Sequence, residues 1–208
     1  MGEDKLFVDV AGRPLIAHTL AAAARSGAFA RVIVAAPRER HSLIAALAAA
    51  AGITEAVLTI GGDRRQDTVR RALDEVGVVD VVAVHDAARP LCAPELFGAV
   101  VTAAMVHGAV TTAVPVVDSI KRGAGGVVVE SLDRKDLYAI QTPQAFRRDL
   151  LTAGHRHASA NALSVDDDAA LVEALGYTVH IVPGSPDNFK VTHARDLVLL
   201  RALIADRS

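Results

Sequence analysis

The chain has 208 residues, with 22 Lys and Arg against 24 Asp and Glu and a formal net charge of −2 at pH 7. This near-neutral balance argues against a protein that coats nucleic acid, and a hydrophobic fraction of 51% argues against global disorder. Its one cysteine, Cys92, excludes an internal disulfide framework, and no apolar run is long enough for a transmembrane helix. The composition predicts a cytoplasmic α/β protein with a core of Ala, Val and Leu.

Short β-branched runs alternate with longer amphipathic runs that are rich in Ala and Leu. In chain order they predict helix 15–25, strand 31–36, helix 39–51, strand 56–60, helix 66–75, strand 78–85, helix 94–107, strand 110–116, helix 143–153, helix 166–175, strand 177–182 and helix 193–205. Apolar strands separated by helices are typical of a parallel sheet that is covered on both faces. We therefore expect a single domain, residues 1–208, with a mostly parallel sheet flanked by helices.

Residues 117–141 interrupt this alternation. A polar run at 118–122 is followed by the glycine-rich turn 123–126 and by the valines of 127–129, which predicts a protruding β-hairpin arm. A lone two-stranded arm is marginally stable in water, so we expect it to pack on a second subunit. A mobile surface hairpin is the alternative.

Polar residues follow two predicted strands, where an open α/β sheet binds its ligands. Residues 61–68 begin with paired glycines, which allow a ligand close to the backbone, although this run taken alone is better explained by a plain turn with a helix cap at Asp67. In 85–90, Arg89 offers two donors to a phosphate or ribose, and Asp86 could hold a sugar hydroxyl or Mg²⁺. The alternative is a local Asp86–Arg89 pair that stabilises the turn.

These two runs and several others occur in the order found in the 2-C-methyl-D-erythritol 4-phosphate cytidylyltransferase family, and the sequence resembles that family. The most specific blocks are His-Asp-Ala-Ala-Arg-Pro and Thr-Pro-Gln, and the matching runs are 5–7, 12–15, 18–20, 61–63, 84–90, 118–121, 133–134, 141–146 and 187–192. The resemblance covers essentially the whole chain. It implies a Rossmann-like, glycosyltransferase-A-like nucleotidyltransferase fold.

The resemblance also implies a reaction and an assembly. CMP would pass from CTP to 2-C-methyl-D-erythritol 4-phosphate, and pyrophosphate would leave with Mg²⁺, in the non-mevalonate route to isoprenoids. The partners would be CTP, a sugar-alcohol phosphate and a second copy of the chain joined through the arm. Two alternatives stay open: a ribitol-5-phosphate cytidylyltransferase, and a truncated, non-catalytic dimeric α/β paralogue.

The resemblance assigns site residues in three groups. Lys5 and Lys190 would be catalytic, and the nucleotide would be held by Gly62, Asp63, Thr68, Ala87 and Arg89. The sugar phosphate would be held by Asp86, Ser119, Arg134, Thr142 and Asp166. Asp86 would also lie near the metal, and Arg134 would reach across from the partner's arm.

Two positions depart from the family pattern. Asp166 stands where the family has a substrate-binding Thr, and an acid there would repel a phosphate unless Ser164 substitutes or the contact is to a hydroxyl. Ser119 replaces another Thr but keeps the hydroxyl.

The larger departure is at the start of the chain. The family opens with a strand and a glycine-rich loop around the triphosphate, and this sequence begins where that loop would end. The missing piece would be roughly 15–20 residues and would include a central strand. We therefore expect two strands with unpaired edges, whether translation starts upstream, which we favour, or the chain is a truncated paralogue.

Overall fold

The computed structural model describes residues 3–206 of the chain. Within them the α-helices are α1 (Leu15–Ser26), α2 (His41–Ala50), α3 (Arg65–Asp74), α4 (Pro94–His107), α5 (Arg148–Ala160), α6 (Ala169–Glu173) and α7 (Ala194–Asp206). The strands are β1 (Asp9–Val10), β2 (Arg13–Pro14), β3 (Val32–Ala35), β4 (Ala56–Thr59), β5 (Val81–Val84), β6 (Ala109–Pro115), β7 (Ile120–Ala124), β8 (Val127–Leu132), β9 (Tyr138–Arg147) and β10 (His180–Pro183). Short 3₁₀ turns cover Glu3–Phe7 and Arg38–Arg40.

The main sheet has the spatial order β10, β6, β9, β5. Strand β10 is parallel to β6, whereas β9 runs antiparallel to both of its neighbours. Strands β3 and β4 form a separate parallel pair. The predicted α/β architecture is confirmed, with a mixed sheet in which β9 is the reversed strand.

The helix predicted over 143–153 is wrong in its first half. Residues 143–147 belong to β9, and α5 begins only at Arg148. Pro143 is typical of a helix start, but the β6–β9 register shifts between Thr111 and Thr112, which leaves Thr142 and Pro143 outside the ladder. A residue without an N–H is tolerated in a central strand at such an irregularity.

The Ala-rich helices pack as the composition predicts. On α1, Ile16 and Leu20 are buried, and on α4 the buried residues are Phe97, Val100 and Ala104. Pro94 begins α4, where the missing N–H costs nothing. Small residues on α1 let this helix lie close against α4. The core is made mainly of aliphatic side chains.

The predicted hairpin arm is confirmed over β7 and β8, while the end of the range assigned to it, 138–141, is already part of β9. The turn uses Gly125 and Gly126, whose φ angles of 56° and 79° favour glycine. Val127, Val128 and Val129 are 67%, 63% and 63% exposed. The arm thus presents apolar side chains to solvent.

In the described part of the chain, β3 and β5 each keep one edge without a neighbouring strand, in addition to the outer edges of β4 and β10. Strand β3 pairs only with β4, and β5 pairs only with β9. The free edges face each other across a cleft of about 580 Å³ that residues of both strands line. The expectation of two unpaired strand edges is therefore confirmed.

Among residues 3–206, no helix combines the length and the apolar character that crossing a membrane requires.

Candidate active site

Asp86 follows the carboxyl end of β5 and is surrounded by three cationic side chains. Its Oδ2 lies 3.0 Å from Lys190 Nζ and 3.5 Å from Arg89 Nε, and its Oδ1 lies 3.3 Å from Arg65 Nε. Burial opposes ionisation, but Lys190, Arg65 and Arg89 outweigh it and hold the Asp86 pKa below its usual value. The carboxylate is therefore ionised at neutral pH, and both of its oxygens contact cationic side chains.

Strand β9 positions Asp86 from behind through Thr142. The Asp86 N–H donates to Thr142 Oγ1 at 2.9 Å, and the same hydroxyl lies 3.2 Å from His85 Nδ1. Burial lowers the pKa of His85 to about 4, so the ring is neutral. Thr142 is predicted to hold the sugar phosphate, and in the structure its hydroxyl also contacts the end of β5.

The segment that carries Lys190 is held by Asn188. The Asn188 side-chain amide donates to Gln141 Oε1 at 3.1 Å and to the Thr142 carbonyl at 2.9 Å, and its own backbone carbonyl accepts from Arg89 Nη1 at 2.7 Å. Lys190 itself keeps 40% of its side chain accessible. An anchored backbone and a partly accessible side chain, already paired with Asp86, suit a group that meets an anionic substrate.

A second layer of charge lies behind Arg65. Arg65 Nη1 is 2.8 Å from Asp168 Oδ2, so one guanidinium bridges Asp86 and Asp168. Gln144 Oε1 accepts the Asp168 N–H at 3.1 Å, and His155 Nε2 lies 3.8 Å from Asp168 Oδ1. Burial raises the pKa of Asp168 although Arg65 opposes this, and burial, with nearby Arg side chains, lowers that of His155 to about 4.

Sequence reasoning missed this second layer. Arg65 stands in the glycine-led run 61–68, and Asp168 ends the acidic run at 166–168, so both lie within segments that are polar in the sequence. What the sequence does not reveal is that α3 and the turn before α6 meet beside β5. Asp166, the residue that was assigned to the substrate, is exposed, whereas Asp168 is 1% exposed.

The predicted nucleotide residues Gly62, Asp63 and Thr68 do lie together at the start of α3. The Gly62 N–H donates to Thr68 Oγ1 at 2.9 Å, and Asp63 is exposed. A Cβ on Gly62 would stand 2.5 Å from the Asp67 Cβ, so this turn requires glycine. Asp67 forms an ion pair with Arg64 at 2.8 Å, and the helix cap expected at Asp67 is not observed.

Ala87 and Arg89 occupy the turn after Asp86. The Ala87 carbonyl accepts from Thr19 Oγ1 at 2.8 Å, which ties the turn to α1. Arg89 is 8% exposed and committed to Asp86 and Asn188, so it supports the site from within. Its guanidinium does not present the open two-donor fork that the sequence predicted.

Lys5 belongs to the 3₁₀ turn Glu3–Phe7. The next residues, Leu6 and Phe7, pack in the same apolar cluster as Ala87. The turn therefore lies at the edge of the sheet where Asp86 ends β5.

The arm residues Ser119 and Arg134 are exposed, and the Arg134 guanidinium donates to the Val117 carbonyl of its own arm. Within the described chain, no hydrogen bond or ion pair links either residue to Asp86. The structure thus gathers Asp86, Arg89, Thr142 and Lys190 at one place and leaves the arm residues apart from them.

A carboxylate ringed by cations, at the carboxyl end of a strand and beside a glycine turn that opens a helix, defines an α/β protein that handles phosphorylated ligands. The family model for 2-C-methyl-D-erythritol 4-phosphate cytidylyltransferase matches residues 1–206. The chain belongs to this family and is a nucleotidyltransferase enzyme.

Individual relatives agree with the family match. The chain is 41% identical over 207 residues to a 2-C-methyl-D-erythritol 4-phosphate cytidylyltransferase of Pelotomaculum thermopropionicum, covering 98% of this chain and 87% of the relative. It is 44% identical over 207 residues to that of Frankia casuarinae, covering 98% and 75%. The crystal structure of the Thermus thermophilus enzyme of this name matches with a TM-score of 0.81 at 37% identity, covering 97% of this chain and 94% of that one.

Proposed function

We propose that this chain transfers CMP from CTP to 2-C-methyl-D-erythritol 4-phosphate and releases pyrophosphate, as one step of isoprenoid biosynthesis. The family match over residues 1–206 carries this proposal. The Asp86 cluster supplies the chemistry it needs, because three cations converge at the carboxyl ends of the strands.

In this reaction a phosphate oxygen of the sugar alcohol attacks the α-phosphorus of CTP as the bond to pyrophosphate breaks in line. Negative charge crowds the reaction centre, so catalysis depends on positioning and on cations already in place. We assign Lys190 to the attacking phosphate and Lys5 to the α-phosphate. Asp86, ionised and held by Thr142, is placed to orient the sugar-alcohol hydroxyls.

A divalent cation is part of the proposal. Mg²⁺ is commonly bound by one or two carboxylates together with substrate phosphates, and Asp86 is the carboxylate at this site that could contact it. The three cations around Asp86 make an ion without phosphate charges unfavourable there, so we propose that Mg²⁺ enters with CTP. When bound, it would neutralise charge on the leaving pyrophosphate.

We also propose a cytoplasmic homodimer built through the arm. The exposed valines of β8 offer apolar area to a partner, and Arg134 and Ser119 would complete the substrate site of the other subunit. Mixing an Arg134→Ala chain with an Asp86→Ala chain tests this arrangement, because a hybrid dimer keeps one intact site and should regain part of the activity. Failure of the mixture to regain any activity would contradict a crossing arm.

The main test is pyrophosphate release by the purified chain with CTP, Mg²⁺ and 2-C-methyl-D-erythritol 4-phosphate. Lys190→Ala should lower kcat/KM by about 10²-fold or more while the far-ultraviolet circular dichroism is retained, because a positioned charge is lost. Arg156→Ala, which removes an exposed cation from α5 outside the arm, is the matched control. Release with ribitol 5-phosphate alone, or a Lys190→Ala variant of normal activity, would contradict the proposal.

A further inference from the structure

Helix α3 holds a distant segment of the chain through one buried side chain, that of Gln66. Its amide nitrogen donates to the Leu163 carbonyl at 3.2 Å, and its amide oxygen accepts the Val165 N–H, also at 3.2 Å. These two residues lie 97 and 99 positions further along the chain. Gln66 is 8% exposed, so a buried amide has both of its polar ends paired with backbone groups of residues 163–165.

The bonds to Gln66 are those that a strand makes with a neighbour. A carbonyl and the N–H two residues later lie on the same edge of an extended segment, and the Gln66 amide takes the place of a peptide unit beside them. Burial alternates as in a strand, because Leu163 and Val165 pack against the apolar cluster formed by β9, α5 and α6, whereas Ser164 and Asp166 are exposed. Ser164 and Asp166 therefore face away from this cluster.

The same helix also holds the far end of this segment. Arg65, which precedes Gln66, has its Nη1 2.8 Å from Asp168 Oδ2 and its Nε 3.3 Å from Asp86 Oδ1. Asp166 thus lies between two anchors on α3, with the Gln66 bond at the residue before it and the Arg65 bond two residues after it. Two consecutive residues of one helix set its position relative to Asp86.

The hydrogen bonds from Gln66 supply what the apolar contacts do not. Burial of Leu163 and Val165 is non-directional, so it does not fix how the backbone is turned about its own axis. A pair of hydrogen bonds with defined angles does fix it. Without them the segment could rotate, and Ser164 and Asp166 would then point elsewhere.

We propose that Gln66 is a positioning residue for the reaction, which fixes residues 163–168 so that Ser164 and Asp166 meet the sugar-alcohol phosphate. This inference rests on the proposed function and on the assignment of Asp166 to that substrate. Gln66 itself does not touch the substrate, since its amide is occupied by the backbone of the segment.

Gln66→Met tests the inference, because methionine has a similar length and cannot form either hydrogen bond. The nucleotide turn depends on another side chain of α3, since Thr68 Oγ1 accepts the Gly62 N–H. The KM for 2-C-methyl-D-erythritol 4-phosphate should therefore rise about tenfold or more, while the KM for CTP stays within about twofold. Pyrophosphate release measures both, with one substrate varied at a time. Asp74→Asn, an exposed residue of the same helix, is the control and should leave both values unchanged.

A second measurement separates positioning from a general loss of structure. In a chain that already carries Ser164→Ala and Asp166→Ala, Gln66→Met should change the KM for the sugar-alcohol phosphate less than about threefold, because the side chains that Gln66 positions are gone. If Gln66→Met fails to fold, Gln66→Glu is measured in its place. Its carboxylate can accept from Val165 but has no donor for Leu163, so the same selective rise is expected.

Three results would overturn the inference. These are an unchanged KM for the sugar-alcohol phosphate, equal rises in both KM values, and an undiminished effect of Gln66→Met in the chain with Ser164→Ala and Asp166→Ala. Turnover by the wild-type chain separates this inference from the proposed function. An active wild type with a normal Gln66 variant contradicts the inference alone, whereas a wild type that releases no pyrophosphate contradicts both.

Discussion

Asp86 illustrates how single residues set the chemistry of this site. Its burial alone would favour the neutral acid, and the convergence of Lys190, Arg65 and Arg89 reverses that preference. The three cations come from different segments of the chain, so the charge balance depends on all of them being held at once.

Gly62→Ala is expected to weaken CTP binding about tenfold or more. The new Cβ would stand 2.5 Å from the Asp67 Cβ and 2.9 Å from its carbonyl carbon, so the turn at the start of α3 would have to move. Titration calorimetry with CTP measures the effect. Gly98→Ala, in the middle of α4 with no atom within 4 Å of the added Cβ, is the control and should bind normally. Normal affinity in Gly62→Ala would contradict a nucleotide role for this turn.

Asp168→Asn is expected to reduce kcat/KM about tenfold or more, because Arg65 loses the buried carboxylate that holds it against Asp86. Breaking a buried pair also costs roughly 3–5 kcal/mol of stability, which should lower Tm. Glu173→Gln, an exposed acid on α6, is the control. A variant with lower Tm and unchanged kcat/KM would show that Asp168 is structural and does not position Arg65.

At the scale of elements, β9 is the strand that joins structure to function. Its early residues pair with the end of β6 on the side of the arm, its centre supplies Thr142 behind Asp86, and its end pairs with both β6 and β5. One reversed strand therefore links the arm to the candidate active site.

The arm is expected to mediate dimer formation. Val127→Asp with Val129→Asp places two charges on β8, where both valines are more than half exposed, and should convert a dimer to a monomer. Light scattering after size exclusion measures the mass. Val78→Asp changes a fully exposed valine outside the arm and should leave the mass unaltered. A double variant that remains dimeric would place the interface elsewhere.

For the molecule as a whole, buried histidines couple folding to pH. The folded protein keeps His85 and His155 neutral, with pKa values of about 4 against an ordinary 6.5. The unfolded chain therefore binds more protons between pH 6.5 and 4, so stability is lost as the pH falls through that window.

His155→Gln is expected to reduce the loss of stability between pH 6.5 and 4. The wild-type free energy of unfolding should fall by up to about 3 kcal/mol per buried histidine between pH 6.5 and 4, and the variant should lose one such contribution. Urea unfolding at several pH values measures it. His193→Gln, an exposed histidine before α7, should follow the wild-type profile. A variant profile parallel to that of the wild type would contradict the role given to His155.

Local sequence patterns are enough to establish the alternation of strands and helices, the hairpin arm and the polar residues that follow β4 and β5. These features depend on periodicity and turn chemistry, which are properties of short segments. The sequence also places Lys190 and Asp86 in candidate sites, through polar residues that follow apolar runs and through motif resemblance.

Long-range packing sets the remaining features. The first half of the predicted helix 143–153 is part of β9 instead, because residues 144–147 pair with β5 and β6, which come from distant parts of the chain. Arg65 and Asp168 belong to the candidate site because they form an ion pair although about a hundred residues separate them in the chain. The unpaired edges of β3 and β5 become one cleft only when helices cover both faces. No local pattern in the chain encodes these contacts, since each depends on where distant segments meet.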